Sequence, residues 1–162
     1  MAERTFLLIK SDAVQRCLVG NVITEIENKG FKLVGMKFVF LSDDVLKEMY
    51  DGIESKPFFA QYKAVVQSAP CLALIVEGHL AVENGFSFSG AERKPENDRS
   101  LSIRNRFAMW TGADVIHRAA SPEEVAKNIR MFFREEEIFS YYKMGEEFCS
   151  EESWNKYGSR WS

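Results

Sequence analysis

Two histidines occur in the 162-residue chain. One, His117, stands in the segment DVIHRAAS (114–121), where an apolar run gives way to small residues. A lone histidine in an apolar strand is most often a satisfied structural side chain. A neutral ring with one free nitrogen is also a base or a nucleophile. Its place at a strand end, followed by RAAS and then a helix start, predicts a ring at the surface rather than in mid-core. Lys10 closes the first apolar run, TFLLIK, and Arg104 stands in LSIRNRF. Each reads by default as a solvated charge at the edge of an element. Tyr50 and Phe58 read by default as core or boundary aromatics. NGFSFSGAE has neither the P-loop nor the dinucleotide spacing. If phosphate is handled by this chain, side chains such as Lys and Arg must hold it.

The elements that position these residues follow from apolar periodicity. TFLLIK reads as a buried strand. SDAVQRCLVGNVITEIENKG reads as a helix, with Leu18, Val22, Ile23 and Ile26 at helical spacing and Gly30 as its stop. FKLVGMKFVFL is a second strand. SDDVLKEMYDG is a helix capped by Ser42, with acids in its first turn. KPFFAQYKAVVQS is another helix, and CLALIVEG a third strand. Residues 79–90 are open to either reading, and GAERKPENDRSLS is a polar loop. RFAMWTGADVIH contains a last strand of about four to six residues, ending near His117. SPEEVAKNIRMFF carries the clearest helix start: Ser121 as N-cap, Pro122 as first residue, Glu124 closing a capping box.

This order predicts an α/β class, an α+β sandwich with a ferredoxin-like β-α-β-β-α-β core, an antiparallel sheet and added helices. A doubly wound parallel sheet is the competing topology. The length suits one domain with a real core. Residues 1–143 are expected to form it and residues 144–162 a C-terminal extension that packs on the surface. No apolar run approaches the roughly 20 residues of a membrane span. The N-terminal segment reads as a strand rather than a signal, so a cytoplasmic location is expected. Cys17, Cys71 and Cys149 are odd in number and far apart, which argues against a disulfide framework and a zinc site. The net charge of −3 disfavours broad nucleic-acid binding but not a small anionic ligand.

Taken in order, these weak signals match a family. ERTFLLIKSDAVQRCLVGNVITEIENKGFKLVGMKF, SKPFF, and IHRAAS followed by PEEVAKNI and FF resemble the nucleoside diphosphate kinases over roughly residues 3–141. The resemblance implies that His117 takes the terminal phosphate of a nucleoside triphosphate and passes it to a nucleoside diphosphate, by ping-pong covalent catalysis. Mg²⁺ would accompany the nucleotide. Lys10 matches the lysine that reaches ribose and phosphates, and Tyr50 a tyrosine beside the catalytic ring. Phe58 matches the aromatic on which the base stacks, and Arg104 one of two phosphate-binding arginines. Asp114 stands for an asparagine near the ribose; its carboxylate still accepts from a hydroxyl. The resemblance also implies a homo-oligomer, a hexamer or a tetramer; the apolar runs and the charge give no reason to expect a membrane or nucleic acid as a partner.

The rest of the shell departs from the family. Its second phosphate arginine falls on Phe86, and its phosphate-binding threonine on Glu92. The glutamate that orients the catalytic ring falls on Asn128, which is expected to accept from a ring N–H more weakly, and a serine near that ring falls on Ala119. Losing one charged phosphate contact costs about 1.5–3 kcal/mol, roughly 10- to 150-fold in binding. Arg93 is the neighbour expected to replace the cation lost at Phe86. The alternatives are a family member with little transfer activity that serves as a nucleotide-binding or assembly module, and an unrelated ferredoxin-like domain. The absence of a basic aromatic sheet motif counts against an RNA-binding version of the latter.

Overall fold

The computed structural model describes residues 2–91, 101–110, 112–145 and 155. Its centre is a strand whose second half is an unbroken apolar run. β1 (Glu3–Ile9) runs fully buried from Phe6 to Ile9. Alternation sends Phe6 and Leu8 to one face and Leu7 and Ile9 to the other. A strand apolar on both sides needs cover on both sides. β1 pairs antiparallel with β3 (Cys71–Gly78) and with β4 (Ile116–Arg118); β2 (Lys32–Val39) pairs antiparallel with β3. The order β2-β3-β1-β4 is that of the ferredoxin-like core, and the parallel alternative is excluded.

On the Phe6 face lie α3 (Asp43–Met49), α4 (Phe59–Val66) and α7 (Pro122–Phe132), through Leu46, Met49, Val66, Val125 and Phe132. Phe6 and Phe132 stack with ring centroids 5.1 Å apart. On the Leu7 face lie α2 (Val19–Asn28), α5 (Ala81–Ser89) and α6 (Ile103–Phe107), through Val22, Ile26, Phe88 and Ile103. β4 is an edge strand, and His117 lies opposite Leu8, hence on the Phe6 face.

Several expected caps are in place. Ser42 accepts from Val45 N–H at 3.2 Å, and Ser121 from Glu124 N–H at 3.2 Å. Gly30, with φ 83°, ends α2 as expected. Other expectations need correction. The single helix over 11–30 is two: α1 (Ser11–Gln15) and α2, separated by Cys17 in the left-handed region at φ 57°. The apolar spacing that suggested one helix belongs to α2 alone, where Val22 and Ile26 are buried. Residues 79–90, left open, contain α5, entered through Leu80 at φ 46°. Within 101–107, read as loop and strand approach, α6 forms behind Ser102, which accepts from Asn105 N–H. β4 has three residues rather than four to six, because a tight turn occupies the positions before it.

Candidate active site

That turn comprises Asp114, Val115 and Ile116. Ile116 N–H donates to Asp114 C=O at 2.8 Å across one residue, and Val115 has φ 72°. This is the strained form of the γ-turn, on a β-branched residue that the left-handed region disfavours. Such a conformation costs of order 1–3 kcal/mol and persists only where its surroundings impose it. Here Val115 is fully buried, and its carbonyl accepts from Lys10 N–H at 2.8 Å. The turn thereby ties the end of β1 to the start of β4.

It also aims a carboxylate. Asp114 Oδ1 accepts from Lys10 Nζ at 2.5 Å, and Oδ2 from Arg104 Nε at 3.2 Å. All three side chains are buried. The Arg104 fork donates further to Gly90 C=O and Ile116 C=O, each at 2.5 Å. Gly90 has φ 86°, and a Cβ there would collide with the Ser102 hydroxyl, so this anchor requires glycine. Burial by itself would lower the Lys10 pKa; Tyr62 and Asp114 outweigh it and hold the ammonium above its ordinary value.

His117 sits beside this cluster, 8% exposed. Burial, then the charges of Lys10, Arg104 and Arg118, push its pKa down to about 3. The ring is neutral at physiological pH, and its lone pair is available. The Tyr50 ring meets it in a T-shaped contact, 5.2 Å between centroids and 80° between planes. Burial raises the Tyr50 phenol well above its ordinary pKa, so it stays a neutral donor. Glu124 Oε1 lies 3.6 Å from His117 Nε2, outside hydrogen-bond range. The carboxylate does not offset the desolvation of the ring, so the two are neighbours and not an ion pair.

Lys10, Tyr50, Arg104, Asp114 and His117 therefore meet in one place, as expected. Phe58, at the N-terminal end of α4, is 54% exposed, a free aromatic face rather than a core one. Three expectations change. The His117 ring is buried and not at the surface, because α3 and α7 close over the Phe6 face. Lys10 and Arg104 are not solvated edge charges, because Asp114 pairs both. Asn128 does not accept from the ring: its amide oxygen and nitrogen are buried without a hydrogen-bond partner among the described residues. Glu92 and Arg93 lie outside the described residues.

Two neighbours escaped sequence reasoning. Glu124 was read only as a capping residue, although it precedes Asn128 by one helical turn and so shares its face. Arg118 projects to the opposite sheet face, where its guanidinium lies 3.7 Å over the Phe86 ring. An arginine beside His117 and an aromatic at the position of a family arginine were the visible signals.

Comparison with known proteins gives the family. The family model for nucleoside diphosphate kinase matches residues 3–138. The chain belongs to the nucleoside diphosphate kinase family. It is 41% identical over 140 residues to nucleoside diphosphate kinase A 2 of Bos taurus, covering 86% of this chain and 91% of that protein. It is 37% identical over 149 residues to the nucleoside diphosphate kinase of Ginglymostoma cirratum, covering 92% and 98%. Its fold superposes with TM-score 0.85 and 30% identity on a halophilic nucleoside diphosphate kinase of Halobacterium salinarum in complex with CDP, covering 93% of this chain and all of that one. Nucleoside diphosphate kinases are phosphotransferases, and this chain carries their fold.

Two outcomes follow. Asp114→Ala leaves two buried cations without their carboxylate and is expected to lower stability by about 3–5 kcal/mol in urea denaturation, with Asp114→Asn milder because one oxygen acceptor remains. Between pH 6.5 and about 3 the unfolded chain binds a proton on His117 that the folded chain excludes. Stability therefore falls on acidification through this window, at up to about 1.4 kcal/mol per pH unit. The difference between wild type and His117→Gln, measured by urea denaturation at pH 7 and pH 5, is expected to carry that slope.

Proposed function

We propose that this chain transfers the γ-phosphate of a nucleoside triphosphate to His117, and from His117 to a nucleoside diphosphate. The observation that carries the reading is a buried, neutral histidine beside a fixed pair of cations, Lys10 and Arg104. In-line attack by the ring forms an N–P bond as the bond from phosphorus to the β,γ-bridging oxygen breaks, and the first diphosphate leaves. The cations face the charge on the transferring oxygens, already oriented, so little rearrangement accompanies the reaction. Tyr50 supports the ring. The exposed Phe58 accepts the base by stacking, which tolerates purine and pyrimidine alike. Asp114 acts chiefly by holding Lys10 and Arg104, with the ribose hydroxyl as a further donor to it.

In this reading Mg²⁺ enters on the phosphates of the nucleotide. Among the described residues no group of three or more His, Cys, Asp or Glu side chains is arranged to hold a metal ion. A homo-oligomer, as a hexamer or a tetramer, fits an edge strand that leaves Met36 and Phe38 exposed, with Phe40 just beyond it. No helix among the described residues is long and apolar enough to cross a membrane, and we keep the cytoplasm as the proposed location. Residues 1–143 remain the proposed domain and 144–162 its extension.

A second reading, a module that binds nucleotide with little turnover, is favoured by two features. Asp114 already occupies both cations, and Phe86 offers no charge. Steady-state transfer from ATP to GDP separates the two. Parallel double-reciprocal lines, and loss of transfer in a folded His117→Ala, are the expected result. Binding of magnesium ADP without any GTP formed supports the second reading instead.

A further inference from the structure

Helix α7 presents a charged group, Glu124, to His117. Glu124 is held in place from two directions. Its backbone N–H donates to the Ser121 hydroxyl, and its Oε2 accepts from Ala120 N–H at 2.8 Å. The remaining oxygen, Oε1, lies 3.6 Å from His117 Nε2. That nitrogen is buried and has no hydrogen-bond partner among the described residues. Asn128, one turn further along, has both amide atoms buried and without a partner among the described residues. A carboxylate pinned by one oxygen therefore points its other oxygen at the unsatisfied nitrogen of the ring.

We propose that Glu124 is the positioning residue of His117. Its carboxylate faces Nε2, which favours the proton on that nitrogen and leaves the Nδ1 lone pair as the nucleophile. The proposal rests on the reading of His117 as the phosphate acceptor. The charge balance explains why a carboxylate suits the task better than an amide. When neutral His117 attacks phosphorus through Nδ1, the Nδ1–P bond forms and the bond to the β,γ-bridging oxygen breaks. The diphosphate leaves with that electron pair, and no proton departs. The ring keeps its Nε2–H and becomes a phosphoimidazolium, so positive charge develops beside Glu124. The 3.6 Å gap closes to a hydrogen bond as that charge grows, in keeping with catalytic hydrogen bonds that are long in the unliganded state. In this chain the carboxylate sits one helical turn before Asn128.

Glu124→Gln separates positioning from capping, because the amide oxygen still accepts from Ala120 N–H. Ser121→Ala is the converse control, losing the cap on the Glu124 backbone while keeping the carboxylate and its bond from Ala120 N–H. Nitrogen-15 NMR of ring-labelled histidine in the free protein reads the tautomer directly, with His117→Gln assigning the signal apart from that of exposed His79. Wild type and Ser121→Ala are expected to hold His117 as the Nε2–H form. Glu124→Gln is expected to shift the ring toward the Nδ1–H form, and to lower kcat about 10- to 100-fold, the size of one charge-assisted hydrogen bond, with KM for the nucleotide little changed. An unchanged tautomer in folded Glu124→Gln overturns the proposal. A wild type that holds the Nε2–H tautomer through Glu124 but forms no GTP overturns the reading of His117 as phosphate acceptor and leaves the pairing standing.

Discussion

The carboxylate of Asp114 bridges two buried cations that come from distant parts of the chain, Lys10 after β1 and Arg104 in α6. Without it, two like charges would face each other away from water, and the loss of one partner in such a cluster typically costs several kcal/mol. The bridge also explains the strained turn at Val115. A left-handed β-branched residue is unfavourable by itself, but here its carbonyl fastens β1 and its neighbour fastens both cations. The strain thus has a geometric product: Asp114 on one side of the turn and His117, two residues after Val115, on the other.

The same cluster sets the state of the histidine. Three nearby cations and a closed apolar face keep the ring neutral, which is the form that attacks phosphorus. The arrangement carries a cost for binding, because Lys10 and Arg104 are shared with a fixed internal anion before any phosphate arrives. At the position of the second family arginine stands Phe86, against which Arg118 packs. Among the described residues that position supplies no charge of its own, while the His117 ring is neutral. A slow transfer enzyme is the physical expectation.

Much of this was legible in the sequence. Strict apolar runs identified β1 and β3, since strands covered on both faces lose their polar alternation. Capping residues identified α3 and α7, because Ser42 and Ser121 satisfy helix-end donors by local chemistry. What was not legible depended on contacts between distant residues. The burial of His117 is made by α3 and α7 closing over the sheet, and periodicity near residue 117 carries no trace of it. The pairing of Lys10 with Asp114 joins positions 104 residues apart. The break at Cys17 and the turn at Val115 defy local preference, since both residues adopt a conformation that favours glycine. Glu124 was hidden by a sufficient local explanation, its role at the start of α7.

Phosphorus-31 NMR of the protein after mixing with ATP and Mg²⁺, then removal of free nucleotide, tests the central claim that His117 itself carries the phosphate. A phosphoramidate signal in the wild type, absent from folded His117→Gln and discharged by GDP, is the predicted result. A folded wild type that binds ATP yet shows no protein-bound phosphorus, or one that shows the same signal in His117→Gln, would contradict it.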